Sequence, residues 1–299
     1  MKRVVYSLYI DIPNDELDWQ KPYENDTLSK TERTKLVYIE YYDWLKSMHE
    51  KYAELVKADY KIFLHDDDWL KFKAHYNKNY PYITAYNVVN YYKIHLMYKL
   101  CEIYDEVLYI DLDVIPITKL NFFDRWEVSK NGIAVLSNRQ EIDTSISKLK
   151  SDAENNKRGI SITNRAPASK YWTTKALLIE NGYSGENDIY NTGVVGISAE
   201  YANKLDYWNG FGEQLEKINF LLHEEDSMWP EHIQQNFGFD NEIMFSHNVK
   251  TNNVTTQNLI DGWHYVMDKW DYISNDSKFI HAITKKVGLI KSWYEKNCI

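Results

Sequence analysis

Short apolar runs alternate with helical patterns along the first third of the chain. The run Val107–Ile110 lacks polar alternation, as expected of a strand buried on both faces of a parallel sheet. Ser29-Lys-Thr-Glu32 forms a capping box, which predicts a helix start. The predicted elements are a strand over Val4–Ile10, a helix from Ser29 to about Lys57, a strand over Tyr60–Leu64, a helix over Ala85–Leu100 and a strand over Val107–Ile110. This order predicts an α/β fold with a mostly parallel, twisted sheet and right-handed crossovers.

The first predicted helix has apolar residues at roughly helical spacing. Such spacing is typical of a helix that lies with one face on a sheet. The predicted face comprises Leu36, Ile39, Tyr42, Leu45, Met48, Tyr52 and Leu55.

The second half of the chain contains a polar stretch between ordered segments. Residues 141–170 are polar and charged without strong periodicity, which favours a variable surface insertion, with a flexible lid as the alternative. Ordered segments are predicted at Gly132–Leu136, Tyr171–Ile179, Asn191–Ser198, Phe237–Phe245, Trp263–Met267 and Phe279–Ile283. No linker-like composition or repeat divides the chain, so we expect one domain over residues 1–299, with halves 1–136 and 137–299.

Two carboxylates follow the apolar run Val107–Ile110, with one residue between them. Asp111 and Asp113 therefore stand at the carboxyl end of a buried strand, where open α/β sheets bind ligands. A hard divalent cation such as Mg²⁺ or Mn²⁺ takes carboxylate oxygens together with substrate phosphates. The pattern predicts a metal site that binds a nucleotide diphosphate, whereas an Asp-x-Asp elsewhere would more often solvate a loop or cap a helix.

A second acidic cluster, His65-Asp66-Asp67-Asp68, competes for the same interpretation. It leads directly into Trp69-Leu70-Lys71-Phe72, an apolar and basic segment typical of a helix start. Asp67 and Asp68 are therefore predicted to cap a helix and complement its dipole rather than to bind metal.

Charge and cysteine content exclude several classes of protein. The net charge of -9 and the lack of a basic block argue against nucleic-acid binding. Cys101 and Cys298 are the only cysteines and form no disulfide framework, which fits a reducing compartment. The apolar start ends at Asp11, too early for a signal peptide, and no window is long enough to cross a bilayer. We expect a soluble, cytoplasmic protein.

The order of these motifs resembles glycosyltransferases of the GT-A fold, most closely family 8, which includes glycogenin and lipopolysaccharide galactosyltransferases. The family pattern begins with a helix that carries a basic residue, which is similar to Tyr92-Lys93-Ile94. A strand with Asp-x-Asp follows, similar to Tyr109-Ile-Asp-Leu-Asp-Val, and then a segment ending in Leu-Phe, similar to Leu120-Asn-Phe-Phe123. Asn191-Thr-Gly-Val-Val-Gly-Ile, Asp240-Asn241 and His281 resemble later family motifs. The resemblance implies a Rossmann-like sheet flanked by helices, with a nucleotide-sugar-binding first half and an acceptor-binding, catalytic second half.

The resemblance also implies roles for individual residues around a divalent ion. Asp111, Asp113 and His281 would bind the ion, and an imidazole ligand favours Mn²⁺ over Mg²⁺. Lys285 or Lys286 would contact the diphosphate. The family follows its histidine with Gly and a Lys-Pro-Trp group, whereas this chain has a stretched version without Pro. Lys93 stands where the family commonly has Arg, which keeps the charge but not the planar fork.

Other residues are implied near the sugar and the nucleotide. Asp240, with Asn241, would orient the reacting sugar, stabilise positive charge at its anomeric carbon or act as a base, and the alternative is a helix N-cap. Asn191 would hydrogen-bond sugar hydroxyls. Ser7 and Tyr9, at the end of the first strand, would lie beside the base and ribose.

These observations predict a metal-dependent transfer of a hexose from a nucleotide-diphosphate sugar, most often a UDP-sugar, to a hydroxyl of a glycan, glycolipid or related acceptor. One alternative is a catalytically silent carbohydrate- or nucleotide-binding protein. A sugar nucleotidyltransferase is disfavoured because the first strand lacks a Gly-rich, basic loop. The basic, aromatic tail from Lys285 to Lys296 favours a terminal helix packed on the domain, with weak peripheral membrane contact as the alternative.

Overall fold

The computed structural model describes residues 1–13, 16, 28, 30–138, 166–267 and 272–297, which fall into two compact units. The first unit comprises residues 1–136, 192–201 and 256–299, and the second comprises residues 137–191 and 202–255. The first unit therefore contains the whole predicted first half together with two later segments of the chain. That the two units form a single domain stays a prediction.

Nine strands and eleven helices are present among the described residues. The strands are β1 (Arg3–Leu8), β2 (Asp59–Phe63), β3 (Glu106–Ile110), β4 (Val114–Pro116), β5 (Ile133–Ser137), β6 (Tyr190–Ser198), β7 (Thr256–Asn258), β8 (Tyr265–Val266) and β9 (Phe279–His281). The helices are α1 (Lys30–Leu55), α2 (Asp67–Asn79), α3 (Ala85–Cys101), α4 (Phe122–Trp126), α5 (Val128–Asn131), α6 (Ala166–Glu180), α7 (Ala199–Leu205), α8 (Phe211–His223), α9 (Glu231–Gln234), α10 (Asn241–Thr251) and α11 (Val287–Asn297).

A six-stranded sheet in the order β2-β1-β3-β6-β5-β7 forms the centre of the first unit. Strand β1 is parallel to β2 and β3, and β5 is parallel to β7, whereas β6 is antiparallel to β3. A smaller sheet has the order β4-β9-β8. The predicted α/β class with a mostly parallel sheet is confirmed.

Helices α1 and α3 cover opposite faces of the central sheet. Side chains alternate between the two faces along a strand. On β1, Val5 belongs to a core cluster that includes Tyr52 of α1, whereas the neighbouring Tyr6 donates its hydroxyl to the Lys93 carbonyl of α3 at 2.7 Å. The central strands are therefore covered on both faces, which is why Val107–Ile110 of β3 is a continuous apolar run without polar alternation.

The buried face of α1 differs from the predicted one. Leu36 and Ile39 are 53% and 64% exposed, whereas Leu45 and Met48 are buried. The true face also includes Tyr38, which packs against the same core cluster as Leu45. The prediction was wrong at both ends of the helix. Leu55 is also 43% exposed, and near the start the packing contacts come from Val37, Tyr38 and Tyr41 rather than from Leu36 and Ile39.

Most predicted element boundaries agree with the structure to within a few residues. Strands β1, β2, β3, β5 and β6 and helices α1 and α3 all lie where apolar runs and helical spacing predicted them. The Ser29 cap and most of the polar stretch 141–170 lie outside the described residues. Within that stretch, α6 begins at Ala166, ahead of the ordered segment predicted from Tyr171.

The acidic cluster before α2 has the capping role predicted for it. Asp66 is the N-cap, and its carboxylate accepts a hydrogen bond from the Trp69 amide at 3.0 Å. Asp67 and Asp68 stand in the first turn, where negative charge complements the helix dipole. The cap is thus one residue earlier than predicted.

The second unit is mainly helical in its described part. It contains α6, α8, α9 and α10, with a core cluster of Ala176, Leu221, Ile233 and Phe237. Trp172 and Trp229 pack edge to face at its margin, with ring centroids 6.0 Å apart.

Candidate functional site

The two carboxylates of the Asp-x-Asp motif lie in a tight turn between β3 and β4. The amide of Val114 donates to the Asp111 carbonyl at 2.8 Å, which closes the turn directly after the buried strand. Strand β4 pairs antiparallel with β9, and Val114 lies opposite His281 in that register. The Ala282 amide also donates to the Asp113 carbonyl at 2.9 Å. The pairing of β4 and β9 therefore brings His281 next to the motif from a position far along the chain.

Asp111, Asp113 and His281 have the spacing of ligands that share one divalent ion. Their ligand atoms lie within 4.8 Å of one another. The His281 Nε2 atom is 4.0 Å from Asp111 Oδ2 and 3.7 Å from Asp113 Oδ2. Two atoms that each lie about 2.1 Å from an ion are at most about 4.2 Å apart. The two histidine–carboxylate distances satisfy this limit, and a nitrogen ligand beside two carboxylates suits Mn²⁺ better than Mg²⁺.

Two lysines neutralise these carboxylates in the protein alone. The Lys285 ammonium donates to Asp113 Oδ2, and the Lys93 Nζ atom lies 3.7 Å from Asp111 Oδ1. Both lysine side chains are largely buried, at 9% and 4% exposure. Burial by itself raises the pKa of Asp113, but the charges of Lys285 and His281 outweigh it and hold the pKa well below its usual range. Asp113 is therefore ionised and paired.

Two tyrosine hydroxyls donate to the same carboxylates. Tyr109 on β3 donates to Asp111 Oδ1, and Tyr38 on α1 donates to Asp113 Oδ1 at 3.3 Å. Burial and the nearby carboxylate charges raise the pKa of both tyrosines well above the usual value, so both remain neutral donors. Tyr38 was not among the predicted site residues. Its position seven residues before Leu45, on the same helix face, is a signal that could have identified it.

Strand β6 approaches the site closely at a glycine. The Asp111 amide donates to the Gly193 carbonyl at 2.8 Å. A Cβ atom on Gly193 would lie 2.7 Å from His281 Cε1 and 3.0 Å from Asp111 Oδ2. Only glycine therefore fits here without moving the His281 ring, which explains one of the two glycines in the Asn-Thr-Gly-Val-Val-Gly pattern.

Lys285 is the lysine that contacts the site, and its backbone is unusual. Its φ angle is +64°, in the left-handed region that non-glycine residues rarely adopt, and its amide donates to the Ala282 carbonyl at 2.8 Å. Lys286 is exposed. Of the two lysines that were predicted as alternatives, the described contacts favour Lys285.

Ser7 is buried in the first unit, and its place beside a base or ribose stays a prediction. Its side chain is fully buried and pairs with His49 on α1, with 2.6 Å between Ser7 Oγ and His49 Nδ1. The other ring nitrogen of His49 lies 2.7 Å from the Val114 carbonyl, which can only accept, so Ser7 is the donor to His49. Burial lowers the pKa of His49 to about 4. Ser7 shares the strand face of Val5, towards α1.

Tyr9 follows β1 and is partly buried among other tyrosines. Its ring centroid is 5.5 Å from that of Tyr38 and 5.1 Å from that of Tyr42. Tyr38 also contacts Asp113, so Tyr9 lies one side chain away from the predicted metal ligands. Its role beside a base or ribose stays a prediction.

Asp240, Asn241 and Asn191 belong to the second unit. Asp240 is the N-cap of α10, where its carboxylate accepts from the Glu242 amide at 2.9 Å. Lys170 on α6 lies 3.3 Å from Asp240 Oδ2 and 2.6 Å from Glu242 Oε2. The capping alternative is therefore real, and it leaves one oxygen of Asp240 in an ion pair. Asn241 is buried, and Asn191 is half-buried near the start of β6. Catalytic roles for the three residues stay predictions.

The sequence matches no known protein-family model and no curated protein. Solved structures with a similar fold include glycosyltransferases. One is a glycosyltransferase involved in the glycosylation of the major capsid of PBCV-1, with a TM-score of 0.41, 10% identity and 98% of each chain covered. Mouse xyloside xylosyltransferase 1 has a TM-score of 0.44 and 9% identity, over 94% of this chain and 98% of its own. The galactosyltransferase LgtC, in complex with donor and acceptor sugar analogues, has a TM-score of 0.38 and 11% identity, over 97% and 95%. These likenesses are distant, and the chemistry proposed below follows from the side chains of the site.

The basic, aromatic tail forms helix α11. Trp293 and Tyr294 pack partly against the core cluster that contains Leu45, and the Tyr294 ring meets Trp44 of α1 edge to face at 6.4 Å. The packed helix, which was preferred to membrane contact, is thus present. Among the described residues, no helix has the length and apolar content needed to span a bilayer.

Proposed function

We propose that this protein is a metal-dependent glycosyltransferase, which moves a hexose from a nucleotide-diphosphate sugar to a hydroxyl acceptor. The observation that carries the proposal is the convergence of Asp111, Asp113 and His281 at the end of a buried strand, with two buried lysines beside them. A divalent cation and two lysines are the groups that a diphosphate needs. Mn²⁺ is the preferred ion, with Mg²⁺ as the alternative, and UDP is the preferred nucleotide.

The charges of the site favour an ion and a diphosphate that bind together. Asp111 and Asp113 are balanced by Lys93 and Lys285 in the protein alone. Metal binding requires a neutral His281, so a divalent ion added to these two carboxylates and two lysines would leave two excess positive charges in a largely buried site, which is costly. A nucleotide diphosphate supplies the compensating negative charge. The site is therefore suited to a ligand that brings both the metal and the phosphates.

Asp111, Asp113 and His281 would hold the ion, and its charge would stabilise the leaving diphosphate. When the donor binds, the Lys285 ammonium would leave Asp113 and contact a phosphate oxygen. Lys93 would keep the Asp111 carboxylate oriented. The neutral hydroxyls of Tyr38 and Tyr109 would hold the two carboxylates in place throughout. Tyr9 would contact the base or ribose.

Asp240 would act at the reacting sugar. Asp240 is held between the Glu242 amide and Lys170, an arrangement that fixes the direction of its carboxylate. A fixed carboxylate suits each of three roles: orienting the sugar, stabilising positive charge at the anomeric carbon, or accepting the proton of the acceptor hydroxyl. Asn241 and Asn191 would hydrogen-bond sugar hydroxyls.

The acceptor would be a glycan, a glycolipid or another molecule with a free hydroxyl. A catalytically silent binding protein would use the same metal and nucleotide contacts, and only turnover separates it from an enzyme. The cytoplasmic localisation expected from the cysteine content stays a prediction.

Release of nucleoside diphosphate from a panel of nucleotide sugars tests the proposal. The wild type is assayed with Mn²⁺, with Mg²⁺ and with a chelator, and compared with the double variant Asp111→Asn, Asp113→Asn. We expect release from one donor that depends on the metal and falls by about 10³-fold in the variant, because a metal contributes several kcal/mol to stabilising the leaving group. A matched control is Asp67→Asn, Asp68→Asn, which removes two exposed carboxylates from the first turn of α2.

The outcomes separate the proposed function from its alternatives. Metal-dependent stabilisation of the fold by UDP without release from any donor would indicate the silent binding protein. If neither release nor stabilisation is found with any nucleotide and metal, the Asp-x-Asp turn is structural and the proposal is wrong.

A further inference from the structure

A second histidine lies directly behind the predicted metal ligand His281. His264 immediately precedes β8, which runs parallel to β9, and Tyr265 lies opposite Ile280 in that register. The rings of His264 and His281 stack, with centroids 5.2 Å apart and planes inclined by 21°. The Nε2 atom of His264 is 3.0 Å from Nδ1 of His281. A hydrogen bond therefore connects the two rings on the side of His281 opposite to the nitrogen that faces the carboxylates.

The backbone before His264 is shaped to bring it there. Gly262 has a φ angle of +77°, and its carbonyl accepts from the Lys278 and Phe279 amides at 2.7 and 3.1 Å. A Cβ atom on Gly262 would lie 2.5 Å from the Asp276 carbonyl oxygen. This turn holds the start of β8 against the segment that leads into β9, and His264 follows it by two residues.

The direction of the hydrogen bond decides whether His281 can bind a metal. A neutral imidazole carries one proton, on one of its two nitrogens. If His264 donates, the proton of His281 resides on Nε2, and that nitrogen has no lone pair for an ion. If His264 accepts, the proton resides on Nδ1 of His281, and the Nε2 lone pair is directed at Asp111 and Asp113. Metal binding therefore requires His264 to be the acceptor.

Stability alone does not account for a histidine at this position. His264 is 4% exposed, and its Nδ1 atom has no hydrogen-bond partner among the described residues. A buried polar atom without a partner destabilises a fold, whereas an apolar side chain of similar size would not carry this cost. One nitrogen of His264 is thus unsatisfied, while the other contacts a predicted metal ligand.

We propose that His264 is a positioning residue for the metal site, because its Nε2 accepts the Nδ1–H of His281 and keeps the His281 Nε2 lone pair available. This inference rests on the proposed metal site. Outer hydrogen bonds of this kind typically change metal affinity by about 10- to 100-fold.

The test compares Mn²⁺ affinity in the wild type, His264→Leu and His264→Gln, measured on the full chain by the electron paramagnetic resonance signal of unbound Mn²⁺. A glutamine amide oxygen can accept where Nε2 accepts, whereas leucine cannot. We expect His264→Leu to bind Mn²⁺ about 10- to 100-fold more weakly and His264→Gln to stay within about threefold of the wild type. Met267→Leu changes another buried side chain of the same part of the core and controls for packing.

Three results would overturn the inference. If a folded His264→Leu binds Mn²⁺ as tightly as the wild type, the acceptor at this position has no role in metal binding. The same conclusion follows if a folded His264→Gln binds Mn²⁺ as weakly as the leucine variant. If the wild type binds Mn²⁺ only in the presence of UDP, the same comparison is made with UDP. A wild type that binds no Mn²⁺ under either condition overturns the metal site itself together with this inference, which distinguishes the two failures. If His264→Leu does not fold, the tautomer of His281 in the metal-free wild type, read from long-range ¹H–¹⁵N correlations, decides the question. A proton on Nδ1 is expected, and a proton on Nε2 contradicts the inference.

Discussion

Replacement of Lys285 by methionine should weaken the fold without metal and strengthen metal binding. The Lys285 ammonium occupies Asp113 Oδ2, the same atom that faces His281 Nε2. A divalent ion bound between Asp113 and His281 must displace this ammonium. Methionine has nearly the same length but no charge, so Lys285→Met tests the competition between lysine and ion directly.

The loss of stability follows from burial of the pair. Asp113 is 2% exposed, so removal of Lys285 leaves a buried carboxylate without its main counter-charge. Removing one partner of a buried ion pair typically costs about 3–5 kcal/mol. Tyr38 and His281 still face Asp113, so we expect the lower end, about 3 kcal/mol, in the free energy of unfolding without metal.

The gain in metal affinity follows from the same pair. The wild type loses the ion pair when it binds Mn²⁺, although the released ammonium regains water. The variant has no such ion pair to break, so we expect Mn²⁺ to bind Lys285→Met about tenfold more tightly, equivalent to about 1.4 kcal/mol. UDP, added with Mn²⁺, should bind the variant more weakly, because a phosphate contact is lost.

The pH dependence of stability gives an independent check that the loss of stability in Lys285→Met comes from the Asp113 charge. The charges of Lys285 and His281 hold the pKa of Asp113 below its usual range despite burial. A carboxyl group with a lowered pKa stabilises the fold above its unfolded pKa, about 3.9, and the contribution is lost as the pH falls below that value. Protonation of Asp113 removes the unpaired charge in Lys285→Met, so the stability difference between the variant and the wild type should narrow below about pH 4.

Urea denaturation with a chelator and Mn²⁺ titration by electron paramagnetic resonance measure these quantities. Lys286→Met is the matched control, because Lys286 is adjacent and exposed, and we expect its stability to stay within about 0.5 kcal/mol of the wild type. The reasoning is refuted if a folded Lys285→Met binds Mn²⁺ no more tightly than the wild type. It is also refuted if the variant is as stable as the wild type in the chelator.

Two further predictions concern residues that hold the site in place. His49 has a pKa of about 4, below the unfolded value of about 6.5, so acid protonates the unfolded chain first, and stability should fall by about 3 kcal/mol between pH 6.5 and pH 4. In urea denaturation across this pH range, His49→Gln should show a smaller fall in stability than the wild type, whereas the exposed control His65→Gln should match the wild type. Equal falls in stability in all three proteins would contradict the role of His49. Gly193→Ala should destabilise the fold by about 1–3 kcal/mol and weaken Mn²⁺ binding, because the new Cβ would displace the His281 ring. Gly238→Ala is the control in the same denaturation and titration, because its new Cβ would have its nearest neighbour at 4.0 Å. If Gly193→Ala behaves like this control, the contact between Gly193 and the His281 ring is not tight.

The sequence alone was sufficient for the part of the site that is continuous along the chain. Asp111 and Asp113 directly follow the strand that positions them, so an apolar run and two spaced carboxylates identify both the element and its end. The α/β class and the strands β1, β2 and β3 were predicted for the same reason, since periodicity is a local property of the chain. His281 was identified only through the resemblance to a family, because nothing in its neighbours indicates a partner.

The tertiary structure decided which distant side chains meet and which way they face. Ser7 was placed correctly at a strand end but faces α1, because only the assembled sheet determines which of its faces each helix covers. Tyr38, Gly193 and His264 reach the site from three other elements, through helix packing and strand register that no local pattern encodes. Local periodicity fixes where an element lies in the chain, whereas the meeting of remote side chains depends on contacts that exist only after the chain has folded.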